Sequence, residues 1–223
     1  MVDSLMKNEG ATPPFTGLAG QDLKRLEHPR VLLTYTSERQ PPCEIIPAMM
    51  KLEFDIIGPT KFGADVFDMV QAEKPDVINL RVDDGFDHGF DAIPDFWERF
   101  KTPVVVVTTS QLHEAWTGAA DAGAFGVLNE SATLSEIQAT FRWAALRGSA
   151  LREAQHRIVQ LEKNLANRRI VEQAKWKLVQ EEGMNEPDAH QALQSVARNT
   201  RAPLIDIAQA VIDGKPLPRL PHR

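Results

Sequence analysis

Residues 168–180, RRIVEQAKWKLVQ, gather Arg168, Arg169, Lys175 and Lys177 around Trp176. Cationic groups neutralise phosphates, and an indole face can stack on an unpaired base. Together these are what holding a nucleic-acid loop requires. At about 100° per residue, a helix here places Val171, Ala174 and Leu178 on one side and Arg169 and Trp176 opposite, with Arg168 and Lys175 in a second column. Further on, Gln191, Gln194 and Arg198 lie away from the apolar side of the next helical segment, with Arg201 just beyond. Amide and guanidinium groups in that position can read base edges. The plainer alternatives are an ordinary solvated face and an interface tryptophan.

A second set of polar residues falls at the ends of apolar runs: Tyr35 and Thr36, Arg81, Thr108, and Glu130. Arg81 ends the run in PDVINLRVDDG, where Asp83 and Asp84 follow in a loop whose acids serve solvation and turn formation. A guanidinium at 81 can pair with the carboxylate at 130 as a permanent internal ion pair; the alternative is an arginine that reaches solvent. His156 and His190 stand alone on helical segments with no second ligand at metal spacing, so no metal site is expected.

These residues need elements to carry them. From Arg30 the chain alternates strand-like runs (RVLLTYT, FDIIGP, DVINLRV, PVVVVTT, FGVLN) with helix-like ones (CEIIPAMMKLE, GADVFDMVQAEK, PDFWERF, LHEAWTGAADAG, LSEIQATFRWAALR). The runs are short, rich in Val, Ile and Leu, and lack polar alternation, as strands covered on both faces do. This predicts a flavodoxin-like, doubly wound α/β domain with a five-stranded parallel sheet over residues 30–146, behind a flexible arm at 1–29. After Thr133 no strand or turn signal appears for about fifty residues. Leu151, Ala154, Ile158, Leu161 and Leu165 repeat at alternating steps of three and four, a coiled-coil seam over 147–167. A parallel homodimer buries such a stripe most simply; packing on the following segment is the alternative. Residues 168–213 read as three short amphipathic helices. The first stops at Gly183, the second is capped by Asn185 and the third is opened by Pro203. A basic, proline-rich tail occupies 214–223.

The formal charge of −6 hides a division. Residues 1–141 hold 11 Lys and Arg against 22 Asp and Glu, whereas residues 142–223 hold 14 against 9. An acidic front and a basic back suggest an anionic partner for the back, nucleic acid first among them. No apolar run approaches the ~18 residues of a membrane span, and the N-terminal twenty residues lack the basic start and apolar segment of a secretory signal. One cysteine, Cys43, supports neither a disulfide framework nor a Cys-rich metal site. A cytoplasmic protein without a membrane partner is expected.

Residues 30–146, through PDVINL, TPVVVVTTS and GAFGVLNES, resemble the CheY-like receiver domain of bacterial response regulators. The resemblance implies an acidic pair after the first strand, where this chain has Tyr35 and Thr36. It also implies a phospho-accepting aspartate where Arg81 stands and a lysine where Glu130 stands; Thr108 alone matches. Without those carboxylates there is little to bind a hard cation and no nucleophile for phosphoryl transfer. A pseudo-receiver with no catalytic residues and no cofactor is therefore expected, not an enzyme.

Residues 168–212, from EQAK through Ala174, Lys175, Leu178, Ala189, Leu193, Ala197 and Ala208, resemble the ANTAR module of AmiR and NasR type antitermination regulators. Trp176 and Lys177 depart from that pattern, which usually has a glycine and an apolar residue there. The resemblance implies an RNA-binding transcription regulator. Its dimer holds stem-loops of a messenger leader, and a partner or sensor protein replaces phosphorylation as the control. The competing class is a protein-interaction scaffold that uses the coiled coil and bundle without RNA.

Overall fold

The computed structural model describes residues 25–37, 45–82, 89–109 and 113–217, and it divides into two compact units between Ala154 and Gln155. Residues 1–24 of the expected arm, residues 218–223 of the tail, Cys43, Asp83 and Asp84 lie outside the described residues.

In the first unit, β1 (Arg30–Tyr35), β2 (Asp55–Lys61), β3 (Val77–Val82), β4 (Val104–Thr108) and β5 (Gly126–Asn129) form one parallel sheet in the order β2-β1-β3-β4-β5. Between them run α1 (Ile45–Lys51), α2 (Ala64–Glu73), α3 (Ile93–Phe100) and α4 (His113–Asp121). Successive strand side chains point to opposite faces, and the core divides accordingly. Val31, Leu33, Val105, Val107 and Leu128 pack with Ile45 and Met49 of α1 and with Ile137 and Phe141. Leu32, Ile78, Leu80, Val104 and Val106 pack on the other face with Val66, Val70, Ile93 and Phe96. Burial on both faces explains why these strands read as unbroken apolar runs. β2, an edge strand, is half exposed.

Helix α5 (Leu134–Glu182) is one continuous helix of 49 residues. It begins at a capping box. The Thr133 amide donates to Glu136 Oε2 at 2.7 Å, and the Glu136 amide donates to Thr133 Oγ1 at 3.3 Å. The Thr133 amide first, and then the Thr133 hydroxyl, which donates to the same carboxylate oxygen at 2.7 Å, hold the Glu136 carboxyl below its ordinary range. Ala144 and Ala145 let the helix lie close on the sheet, and at Gly126 a Cβ would come 2.5 Å from Thr140 Cγ2. The helix stops at Gly183, whose φ of +67° favours glycine.

The second unit closes the end of α5 against α6 (Glu186–Thr200) and α7 (Leu204–Ile212). Its core holds Ala174, Leu178, Ala189, Leu193, Ala208 and Val211. Asn185 caps α6 by accepting the Asp188 amide at 2.8 Å, Arg201 ends it in the left-handed region with φ +54°, and Pro203 precedes α7. Among the described residues, no helix is long and apolar enough to cross a membrane.

Candidate functional site

The sheet order reverses direction between β1 and β3, and such folds open a crevice at the carboxyl ends of those strands. Tyr35 ends β1, Arg81 lies near the end of β3, Thr108 ends β4, and Glu130 follows β5. The Arg81 carbonyl accepts from the Thr36 amide at 3.1 Å. Its guanidinium reaches past β4 to Glu130, with Nη1 donating to Oε1 at 2.5 Å and Nη2 to Oε2 at 3.0 Å. The two side chains are only 7% and 16% exposed, so this forked pair is shielded from solvent. Thr108 is buried, while Tyr35 and Thr36 are half-buried at the rim. Among the described residues, no three His, Cys, Asp or Glu side chains come together to hold a metal.

On α5, Arg168, Arg169 and Trp176 are exposed, Trp176 to 68%. The indole borders a shallow groove with Glu172, Gln173, Lys177, Gln180 and Glu181. On α6, Gln191, Gln194 and Arg198 face solvent, as does Arg201 beyond it. Lys175 and Lys177 are placed differently. The stem of Lys175 is buried, and its ammonium emerges between Glu172 and Glu186, donating to each at 2.8 Å. The bond to Glu172, then that to Glu186, holds its pKa above the ordinary lysine value. Lys177 donates to the Ile212 carbonyl at 2.9 Å, closing α7 onto α5. Both lysines are thus engaged by other groups of the bundle. Helical periodicity put Lys175 in a column beside Arg168 but could not supply Glu186 or Ile212, which come from other segments; Glu172, three residues before Lys175, was visible in the spacing. His190 lies 2.8 Å from Gln194 through Nε2.

Leu151, Ile158, Leu161 and Leu165 are all exposed, as is Ala154. No described segment of this chain covers the stripe.

The ANTAR domain family model matches residues 159–212, which span the end of α5, all of α6 and all of α7. The C-terminal helices are an ANTAR domain. Ahead of the ANTAR domain stands the receiver-like unit. Transcriptional regulatory protein PdtaR of Mycobacterium tuberculosis strain H37Rv is 26% identical over 160 residues, covering 72% of this chain and 78% of PdtaR. PdtaR of strain CDC 1551 / Oshkosh gives the same figures. Two solved structures similar to the receiver-like unit are the signal receiver domain of a modulated diguanylate cyclase from Desulfovibrio desulfuricans G20 and the activated N-terminal receiver domain of Klebsiella pneumoniae RstA. The first is 18% identical with a TM-score of 0.46, covering 55% of this chain and 97% of that one. The second is 16% identical with a TM-score of 0.43, covering 52% and 97%.

Proposed function

We propose that this chain is an RNA-binding antitermination regulator whose dimer holds stem-loops of a messenger leader and so excludes the terminator hairpin. The observation that carries this reading is the pair of exposed rows on the ANTAR helices: Arg168, Arg169 and Trp176 on α5, and Gln194, Arg198 and Arg201 on and after α6. A-form duplex hides its major groove, so loop bases carry the sequence and stem phosphates fix position. Arg168, Arg169 and Arg201 take phosphates, while Gln194 and Arg198 meet base edges. Glu172 and Glu181 beside Trp176 repel phosphate, which favours a stacked base there. Lys175 and Lys177 support this surface from beneath by holding the three helices in register. Binding shifts an RNA equilibrium, and no bond is made or broken.

Dimerisation uses the exposed stripe Leu151, Ala154, Ile158, Leu161 and Leu165. With Arg81 locked to Glu130 in place of an acceptor aspartate, phosphorylation is not the control, and a partner protein that sequesters the regulator takes that role. The cytoplasm, where leader RNA is made, is the site of action.

Binding of the full chain to a tandem stem-loop leader RNA at about 50 and about 200 mM salt tests the reading. Affinity should fall at least tenfold over that range, and Trp176→Ala should weaken it about tenfold, ~1.4 kcal/mol. Absence of binding to any structured RNA would leave the ANTAR helices as a protein-docking bundle.

A further inference from the structure

The receiver-like unit has a cavity of about 380 Å³ at the end of the sheet opposite Arg81, where β3 and β4 begin. It is lined by Arg25, Lys74, Asp76, Phe100, Thr102 and Arg152, with Val70 and Pro75 completing an apolar wall. Neither the altered receiver crevice nor the ANTAR surface makes use of it.

The charges of this cavity do not balance. Asp76 is buried, and both its oxygens are spent: Oδ1 accepts from Arg25 Nη2 at 2.9 Å and Oδ2 from the Arg30 amide at 3.0 Å. Arg152, half-buried on α5, donates from Nη1 to the Lys101 carbonyl at 2.8 Å and has no carboxylate within ion-pair distance among the described residues. Lys74, exposed at the end of α2, also lacks one among those residues. Three cations therefore surround one carboxylate that is already committed. Burial holds the Arg152 guanidinium below the ordinary arginine value, and Arg25 pushes the same way against the opposing pull of Asp76. A guanidinium partly removed from water with one carbonyl as partner has donors to spare, and an entering oxyanion would satisfy them with charge-assisted bonds.

We propose that this cavity binds a small phosphomonoester, its dianionic phosphate held by Arg152, Arg25 and Lys74 and its organic body lying against Phe100 and Val70. A dianion matches the two uncompensated charges where a monocarboxylate would not. The volume exceeds what inorganic phosphate needs, which leaves room for the apolar part. The assignment is independent of the RNA reading, since it concerns other residues in the other unit.

Calorimetric titration of the full chain with phenyl phosphate, at low ionic strength and without RNA, tests it. We expect one site per chain with a Kd of about 1 mM or tighter, weaker binding of inorganic phosphate, and none of phenol. Arg152→Met and Lys74→Met should each weaken phenyl phosphate at least tenfold, whereas Lys163→Met and the double variant Arg168→Ala, Arg169→Ala should leave it unchanged. Lys74 is exposed, so its variant judges the site even if loss of the Arg152 bond to Lys101 unsettles the fold. No saturable heat would overturn the assignment. So would binding that survives Lys74→Met, or binding lost in the Arg168, Arg169 variant.

Discussion

An arginine buried at the carboxyl end of a central strand is stable only if its charge is answered, and in this chain Glu130 answers Arg81 through both guanidinium nitrogens. Breaking such a pair leaves the survivor poorly solvated. Arg81→Ala should therefore cost about 3 kcal/mol in denaturant unfolding, while the double variant Arg81→Leu, Glu130→Leu costs much less. Because a guanidinium, not a carboxylate, stands at residue 81, treatment with a small phosphodonor and magnesium should leave the intact mass of the protein unchanged. Lys175 makes a different kind of pair, at the edge of the ANTAR bundle. Its bond to Glu172 holds that carboxyl below the ordinary range. A depressed carboxyl contributes stability above its unfolded value, about pH 4, and loses it as pH falls through the folded value. The raised Lys175 contributes throughout neutral pH and loses its part only as pH rises past the ordinary lysine range. Hydrogen exchange of the α6 amides should accordingly be faster in Lys175→Met than in the parent at pH 7, and the difference should shrink below about pH 4.

At the scale of elements, α5 is the member that reaches from the sheet to the ANTAR core, and its start is fixed by Thr133 and Glu136. Removing the capping hydroxyl with Thr133→Ala should lower the stability of the receiver-like unit by about 1 kcal/mol, read from its unfolding midpoint. The helix was legible in the sequence because nothing interrupts it between Thr133 and Gly183, and the inner strands because burial on both faces makes most of their residues apolar. Asn185 and Pro203 were legible for the same local reason, since capping is decided within a few residues. The cavity at Arg152 was not. It depends on Arg25, the Lys74–Asp76 connection and Arg152 arriving from three separate segments, and no spacing along one element encodes that meeting. The same holds for Lys175 and Lys177, whose partners Glu186 and Ile212 belong to other elements.

For the whole molecule, the uncovered stripe on α5 and the exposed ANTAR rows make a joint quantitative claim. The proposed dimer would carry two ANTAR domains, so that once one loop of a tandem leader is bound, the second would bind at an effective concentration set by the RNA spacer. Avidity of this kind raises affinity by ~10² or more without any new contact, provided the two loops can be engaged together. Leu161 and Leu165 are exposed and make no part of the ANTAR core, so replacing both with Glu should spare the fold of each unit while separating the subunits. The variant should sediment as a monomer and bind a single stem-loop as the parent does, yet lose the parent's preference for the tandem leader. A monomer that kept that preference would place both loops on one ANTAR domain. A variant that stayed dimeric would move the interface away from this stripe, to a surface such as that around exposed Trp143.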